Sequence, residues 1–202
     1  MDNVSRSERT RAAVIQAALA IISRNGPGAL TLDAIARECG ISKGGLMHQF
    51  RTKREVLKAL LEHQCEHFED FSRRYLEEHA SESAQPHLAA EVATMREALS
   101  ESHSLAYAIL GVVAQDPGLL GTTREDDEAK VQAIRAEASD PELALLRWVA
   151  ARGLLFSGLL GLCPLTRAER ESLFDRLLDD SRWSATPNET SRPRKRTAAR
   201  AG

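Results

Sequence analysis

Cysteine is scarce in this chain, and aromatic side chains are few for its size. The three cysteines among 202 residues, Cys39, Cys65 and Cys163, are odd in number, far apart and without a Cys-x-x-Cys pair. That usage argues against a disulfide framework or a zinc finger and suits a reducing compartment. Aromatics make up 4% of the residues, so the core is aliphatic and no aromatic cage is expected around a ligand. No apolar run reaches bilayer length, and the N-terminus MDNVSRSERTR lacks the apolar stretch of a signal peptide. A cytoplasmic protein is expected. Walker loop, dinucleotide-binding fingerprint and nucleophile elbow are all missing; Ser157 has Leu155 where an elbow needs glycine. Neither enzyme activity nor a cofactor is expected. The seven prolines all fall at predicted helix ends or near the C-terminus, which favours an all-α fold.

What the chain does have is an uneven charge distribution. Residues 1–58 hold 10 Lys/Arg against 5 Asp/Glu, a net +5. Residues 59–183 hold 12 against 23, a net −11, and residues 184–202 hold 5 against 1, a net +4. A basic head on an acidic body is the electrostatic footprint of a nucleic-acid reader with a regulatory part.

The head contains the stretch around which the chain is organised, TLDAIARECGISKGGLMHQF, residues 31–50. Thr31 is placed to cap a helix whose Leu32, Ile35 and Ala36 share one face. Gly40 stops it, and Ser42 opens a second helix in which Leu46 and Phe50 face inward. Lys43, Gly44, Gly45, Met47, His48 and Gln49 then point elsewhere. Helix, short glycine turn and helix is the helix-turn-helix pattern, whose second helix enters the DNA major groove. Gly44 and Gly45 each cost that helix roughly 1 kcal/mol relative to alanine, which is hard to justify for packing alone. Glycine at a helix start lets another backbone come close, and the free N–H groups there suit phosphate.

The run GISKGGLMHQF followed by RTKREVLKALL resembles the DNA-binding region of the TetR/AcrR family of transcriptional regulators, a likeness covering residues 9–61. One position departs: the family usually carries Tyr where this chain has Met47, and that Tyr typically touches a phosphate. The resemblance implies an N-terminal three-helix DNA-binding domain (1–52), a C-terminal helical ligand-binding and dimerisation domain (53–183), and about nine helices. It implies a homodimer on a palindromic double-stranded operator, and a repressor released by a small-molecule effector. The alternative is a metal- or corepressor-responsive regulator, or an activator, of the same fold. Expected DNA contacts are Lys43, Met47, His48 and Gln49, with Thr31, Ser42, Gly44, Gly45 and Lys53 holding phosphates.

Elsewhere, capping boxes are expected at Ser5/Glu8, Thr52/Glu55 and Thr166/Glu169. Arg6, Arg9 and Arg11 are candidates either for phosphate contact or for a solvated face. The helix from residue 53 is long and joins head to body. Its Phe68, Phe71 and Tyr75, with Met95, Tyr107 and Trp148, are ligand-pocket candidates, against ordinary core packing. His63 and His67, four apart on that helix, share a face as a metal site would need, with His87 or His103 as a third ligand; surface or core-edge histidines are the favoured reading, and no metal is expected. The acidic run 125–128 reads as a helix start favoured by the macrodipole. The helix after Asp140-Pro141 is apolar nearly all round, which implies burial on two sides. With the closing helix it is the expected dimer interface, through Leu155, Leu159, Leu162, Leu173 and Leu177, and Gly153, Gly158 and Gly161 permit close approach. Residues 184–202 are expected to be a disordered basic tail.

Overall fold

The computed structural model describes residues 3–100 and 121–183, and all regular structure among them is helical. The order is α1 (Asn3–Asn25), α2 (Leu32–Cys39), α3 (Lys43–Gln49), α4 (Lys53–His79), α5 (Pro86–Ser100), α6 (Gly121–Glu137), α7 (Pro141–Leu159) and α8 (Arg167–Leu178), with short 3-10 turns at Pro27–Ala29 and Asp180–Arg182. Tyr107, His103 and the basic tail lie outside the described residues.

Helix ends follow the chemistry of their residues. Gly26 closes α1 at φ 77°, and Gly40 closes α2 at φ 67°, conformations that cost glycine little. Thr52 and Thr166 accept from the N–H groups of Glu55 and Glu169, as expected of caps. Only the second box is reciprocal: Glu169 Oε2 accepts from the Thr166 N–H at 2.7 Å, whereas Glu55 Oε2 reaches the Arg51 N–H one residue back. Asp140 caps α7, with Pro141 at the first helical position. Ser5 does not stand at a helix start: α1 already begins at Asn3, and Ser5 lies inside it. Nor does the acidic run 125–128 start a helix; α6 begins at Gly121, and Asp127 ties it to α7 through Arg152 at 2.6 Å.

Two cores form along the chain. The first joins α1, α2, α3 and the start of α4, with Val14, Ala18, Ile22, Ile35, Leu46, Phe50, Val56 and Leu60 almost fully enclosed. The second joins α5 to α6, α7 and α8 through Leu88, Val92, Ile134, Ala144, Ala151 and Phe174. Residues 88–95 of α5 are buried all round, so this helix is the axle of the body. Gly158 of α7 lies hard against it: a Cβ there would meet Leu99 Cδ1 at 2.5 Å. The α4 helix begins in the first core with Val56, Ala59 and Leu60 and runs on to pack against α5.

Arg147 locks the C-terminal end of this body. It is 2% exposed, and its guanidinium donates to the Leu177 carbonyl at 2.5 Å and to Asp180 Oδ1 at 2.8 Å. Asp180 Oδ2 in turn accepts from the Ser83 hydroxyl at 2.6 Å and the Ala84 N–H at 3.0 Å. One buried cation therefore joins α7, the end of α8 and the loop between α4 and α5.

Candidate nucleic-acid interface

The geometry of α2 and α3 follows from two caps and one glycine. Thr31 Oγ1 accepts from the Ala34 N–H at 3.1 Å, and Ser42 Oγ accepts from the Gly45 N–H at 3.1 Å. Each hydroxyl still has its own proton to donate, to a phosphate oxygen for instance. Between the caps, the Gly40 N–H reaches the Arg37 carbonyl and the Ile41 N–H reaches the Ala36 carbonyl, a Schellman closure that fixes the turn. Leu46 and Phe50 are anchored in the first core, which turns the remaining face of α3 outward.

On that face Met47 is 44% exposed, and Lys43, Gly44, Gly45 and His48 are exposed with it. Beyond its own helix, no described residue comes within 4 Å of where a Cβ on Gly44 would stand, while at Gly45 a Cβ would sit 3.3 Å from Ser42 Oγ. The α3 surface and the N-terminal part of α1 together form an open groove lined by Ser7, Thr10, Ile41, Gly44, Gly45, His48 and Gln49. Lys53 is the exposed first residue of α4, beside the Thr52 cap.

Two expected contact residues are already engaged. Lys43 Nζ lies 2.9 Å from Asp33 Oδ1. Gln49 Nε2 donates to Ser7 Oγ at 2.9 Å, which ties α3 to α1 and leaves Gln49 half-buried at the junction. Arg11 is held likewise, 3.2 Å from Glu62 and stacked over the Phe50 ring, so it braces α1 against α4 instead of standing free for phosphate. Asp33, Ser7 and Thr10 escape a sequence reading because no spacing links them to α3; only the folded arrangement does.

Two family models match the chain. Residues 14–60 match the bacterial regulatory proteins of the tetR family, and residues 71–182 match the tetracyclin repressor-like C-terminal domain. The chain belongs to the TetR family of transcriptional regulators. Members of this family are DNA-binding regulators and not enzymes. Among curated relatives, the regulator SrpR of Pseudomonas putida is 40% identical over 57 residues, 28% of this chain and 27% of SrpR. UidR of Escherichia coli K12 is 36% identical over 62 residues, 30% of this chain and 32% of UidR. The match thus spans about a third of these relatives' length. A solved TetR-family regulator of Mesorhizobium loti superposes with a TM-score of 0.64 at 18% identity, covering 87% of this chain and 96% of that one. The multidrug binding protein EbrR, solved with malachite green, gives 0.59 at 20% identity over 83% and 96%.

In the C-terminal body of this TetR-family chain, a cleft opens between α4, α5 and α6, lined by Ser72, Leu76, His87, Glu91, Ala129, Lys130 and Ala133. Glu91 is 7% exposed and pairs with Lys130 Nζ at 3.2 Å. None of Phe68, Phe71, Tyr75, Met95 or Trp148 lines this cleft. Met95 is core, Phe71 and Tyr75 stack on each other along half-buried α4, and Trp148 lies under the Arg152 guanidinium. Trp148 Nε1 is buried without an acceptor among the described residues. Glu91 was missed because its neighbours on α5 are apolar and a lone glutamate there reads as a surface position.

No group of three metal-ligating side chains occurs among the described residues. His87 Nδ1 lies 2.8 Å from Glu137, which also caps the start of α5 through the His87 and Leu88 N–H groups. No helix among the described residues is long and apolar enough to cross a membrane.

The expected dimer residues divide. Leu162 is 73% exposed and Leu173 is also exposed, Leu155 and Leu159 are partly buried, and Leu177 is enclosed in the second core. The outward apolar stripe of α7 is instead Leu146, Val149 and Phe156. Of the three glycines, Gly153 is exposed with open space around it, Gly158 meets Leu99 of its own subunit, and Gly161 serves a positive φ of 65°.

Proposed function

We propose that this regulator is a homodimeric repressor that binds a pseudo-palindromic operator and is released from it by a small organic effector. The observation that carries this reading is the continuity of α4. One helix, Lys53–His79, starts beside the recognition helix and supplies Ser72 and Leu76 to the cleft in the body. A ligand that fits the cleft better in one α4 position than in another shifts the head by its differential affinity for the two states, and DNA binding weakens by the same factor.

On DNA, α3 enters the major groove with Lys43 and His48 as its base or phosphate contacts. Thr31, Ser42, Gly44, Gly45 and Lys53 contact phosphates and so set register rather than sequence. Gln49, tied to Ser7, shapes the groove wall. Two subunits read half-sites roughly 34–36 Å apart. A multidrug binding protein among the structural neighbours supports an organic effector.

Selection of bound sequences from a random duplex pool at physiological salt tests this. A pseudo-palindrome is expected, and binding without sequence preference would overturn the operator reading. With that operator in hand, the sign of the effector's effect separates a released repressor from a corepressor-dependent regulator or an activator.

A further inference from the structure

Several cations of the basic head are already matched by groups of the same subunit. Arg11 stands 3.2 Å from Glu62, Arg24 2.6 Å from Glu38, Lys43 2.9 Å from Asp33 and Lys58 3.6 Å from Glu62. Arg37 donates to the Asp33 carbonyl at 3.4 Å, and Arg9, Lys53 and Arg54 are engaged as well. Arg51 differs. Its backbone N–H donates to Glu55 Oε2 at 2.7 Å, but among the described residues no hydrogen bond or ion pair reaches its guanidinium.

The fold decides where that charge stands. Phe50 is 1% exposed and Val56 is fully buried, so both ends of the link from α3 to α4 are pinned in the first core. Phe50 is extended, with φ −137° and ψ 112°, and side chains along an extended backbone alternate in direction. With the Phe50 ring inside, Arg51 is turned outward, and it is exposed. Glu55, the acid nearest to it in the sequence, is committed to the Arg51 main chain. Recognition helix α3 ends at Gln49 and α4 begins at Lys53, so Arg51 stands at the C-terminal end of α3 on a short, anchored link.

We infer that Arg51 holds a phosphate of the DNA backbone at that end of α3, a contact that rests on the docking of α3 proposed above. Lys43 has to leave Asp33 before it can meet DNA, whereas the Arg51 guanidinium opens no internal pair. Its planar fork can meet two phosphate oxygens at once. A phosphate contact carries no sequence information, so Arg51 adds affinity and register on any duplex that α3 enters.

The test uses the full chain as wild type, Arg51→Gln, Arg51→Lys and Arg37→Gln. Each is titrated by fluorescence anisotropy with the selected operator and with a scrambled duplex of the same length and composition, from about 50 to 200 mM salt. Circular dichroism and thermal unfolding should be unchanged in both Arg51 variants, since the backbone N–H bonded to Glu55 remains. Arg51→Gln should weaken both duplexes about three- to ten-fold, with a salt slope shallower by about one. Arg51→Lys keeps the charge, and should hold the slope and lose at most about three-fold in affinity. Arg37→Gln removes one charge from the same head in a separate cleft, beside Ile21, Arg24 and Glu38, and should leave the slope nearly unchanged.

An unchanged slope in Arg51→Gln would overturn the contact. So would an equal fall in Arg37→Gln, which would mean diffuse attraction by the net charge of the head. A loss confined to the operator would make Arg51 a base reader and overturn the phosphate assignment. Failure of the proposed function looks different: the wild type itself would not prefer the selected operator over the scrambled duplex.

Discussion

Single side chains on α3 carry opposite messages about DNA. Met47 is exposed on the recognition face yet has neither charge nor donor, so it contributes contact area at most. If the phosphate contact usual for Tyr in this family is still within reach, Met47→Tyr tightens operator binding by about three- to ten-fold, the net worth of a typical hydrogen bond. Weaker binding in a fluorescence-anisotropy titration would mean a docking register in which that phosphate is elsewhere. Lys43→Ala should lower operator affinity and flatten the salt slope by about one. A slope that does not change would remove Lys43 from the contact.

At the scale of elements, α3 shows a conflict between folding and function. Gly44 has open space on its side-chain side, so Gly44→Ala costs no clash and should raise stability by about 0.5–1 kcal/mol through helix propensity and a less flexible unfolded chain. The same methyl would stand between the helix start and an approaching phosphate, and operator affinity should fall. Thermal unfolding and DNA titration of this one variant separate the two effects. Affinity that rises with stability would mean that Gly44 is not a point of close approach. Local signals made this helix-turn-helix legible in the sequence: the caps Thr31 and Ser42 and the stop at Gly40 act within four residues. What escaped was every contact made across the fold. Asp33 meets Lys43 across the turn between α2 and α3, Ser7 of α1 meets Gln49 of α3, and Arg147 is enclosed although its charge reads as surface. In α7 the trouble was different. A helix apolar on nearly every side gives no direction, so its core face and its outward face could not be told apart.

The whole molecule depends on the Arg147 lock, and that dependence has a pH sign. Burial pushes the Asp180 carboxyl up, but hydrogen bonds from Ser83 and Arg147, the Arg147 charge and the Ala84 N–H outweigh it and hold the group below its ordinary value. A carboxyl depressed in the folded state stabilises fully above its unfolded value, about 3.9, and loses that contribution as pH falls through the folded one. Wild type should therefore exceed Asp180→Asn in urea stability at neutral pH and converge with it in acid. A gap that stays constant from neutral pH to well below 3.9 would deny the ion pair its role. Arg147→Met, which leaves Asp180 without its buried partner, should cost about 3–5 kcal/mol.

Assembly is the other property of the whole molecule, and the exposed apolar groups bear on it. Leu146, Val149 and Phe156 lie at i, i+3 and i+10 on α7 and stay outside the subunit's own core, with Leu162 and Leu173 exposed nearby in sequence. Isolated exposed apolar residues need no explanation, but a stripe along one helix with an open glycine, Gly153, within it does. In the proposed homodimer this stripe meets its symmetry mate, since a two-fold axis sets the same patch against itself. Val149→Glu should then give a monomer at micromolar concentration by sedimentation velocity, with helical circular dichroism intact because Val149 is more than half exposed in its own subunit. Leu177→Glu, inside the second core, should instead unfold the body. The monomer would still carry a complete head, so it should bind a single half-site weakly and lose the preference for two half-sites at fixed spacing. A Val149→Glu protein that remains dimeric would move the interface off α7.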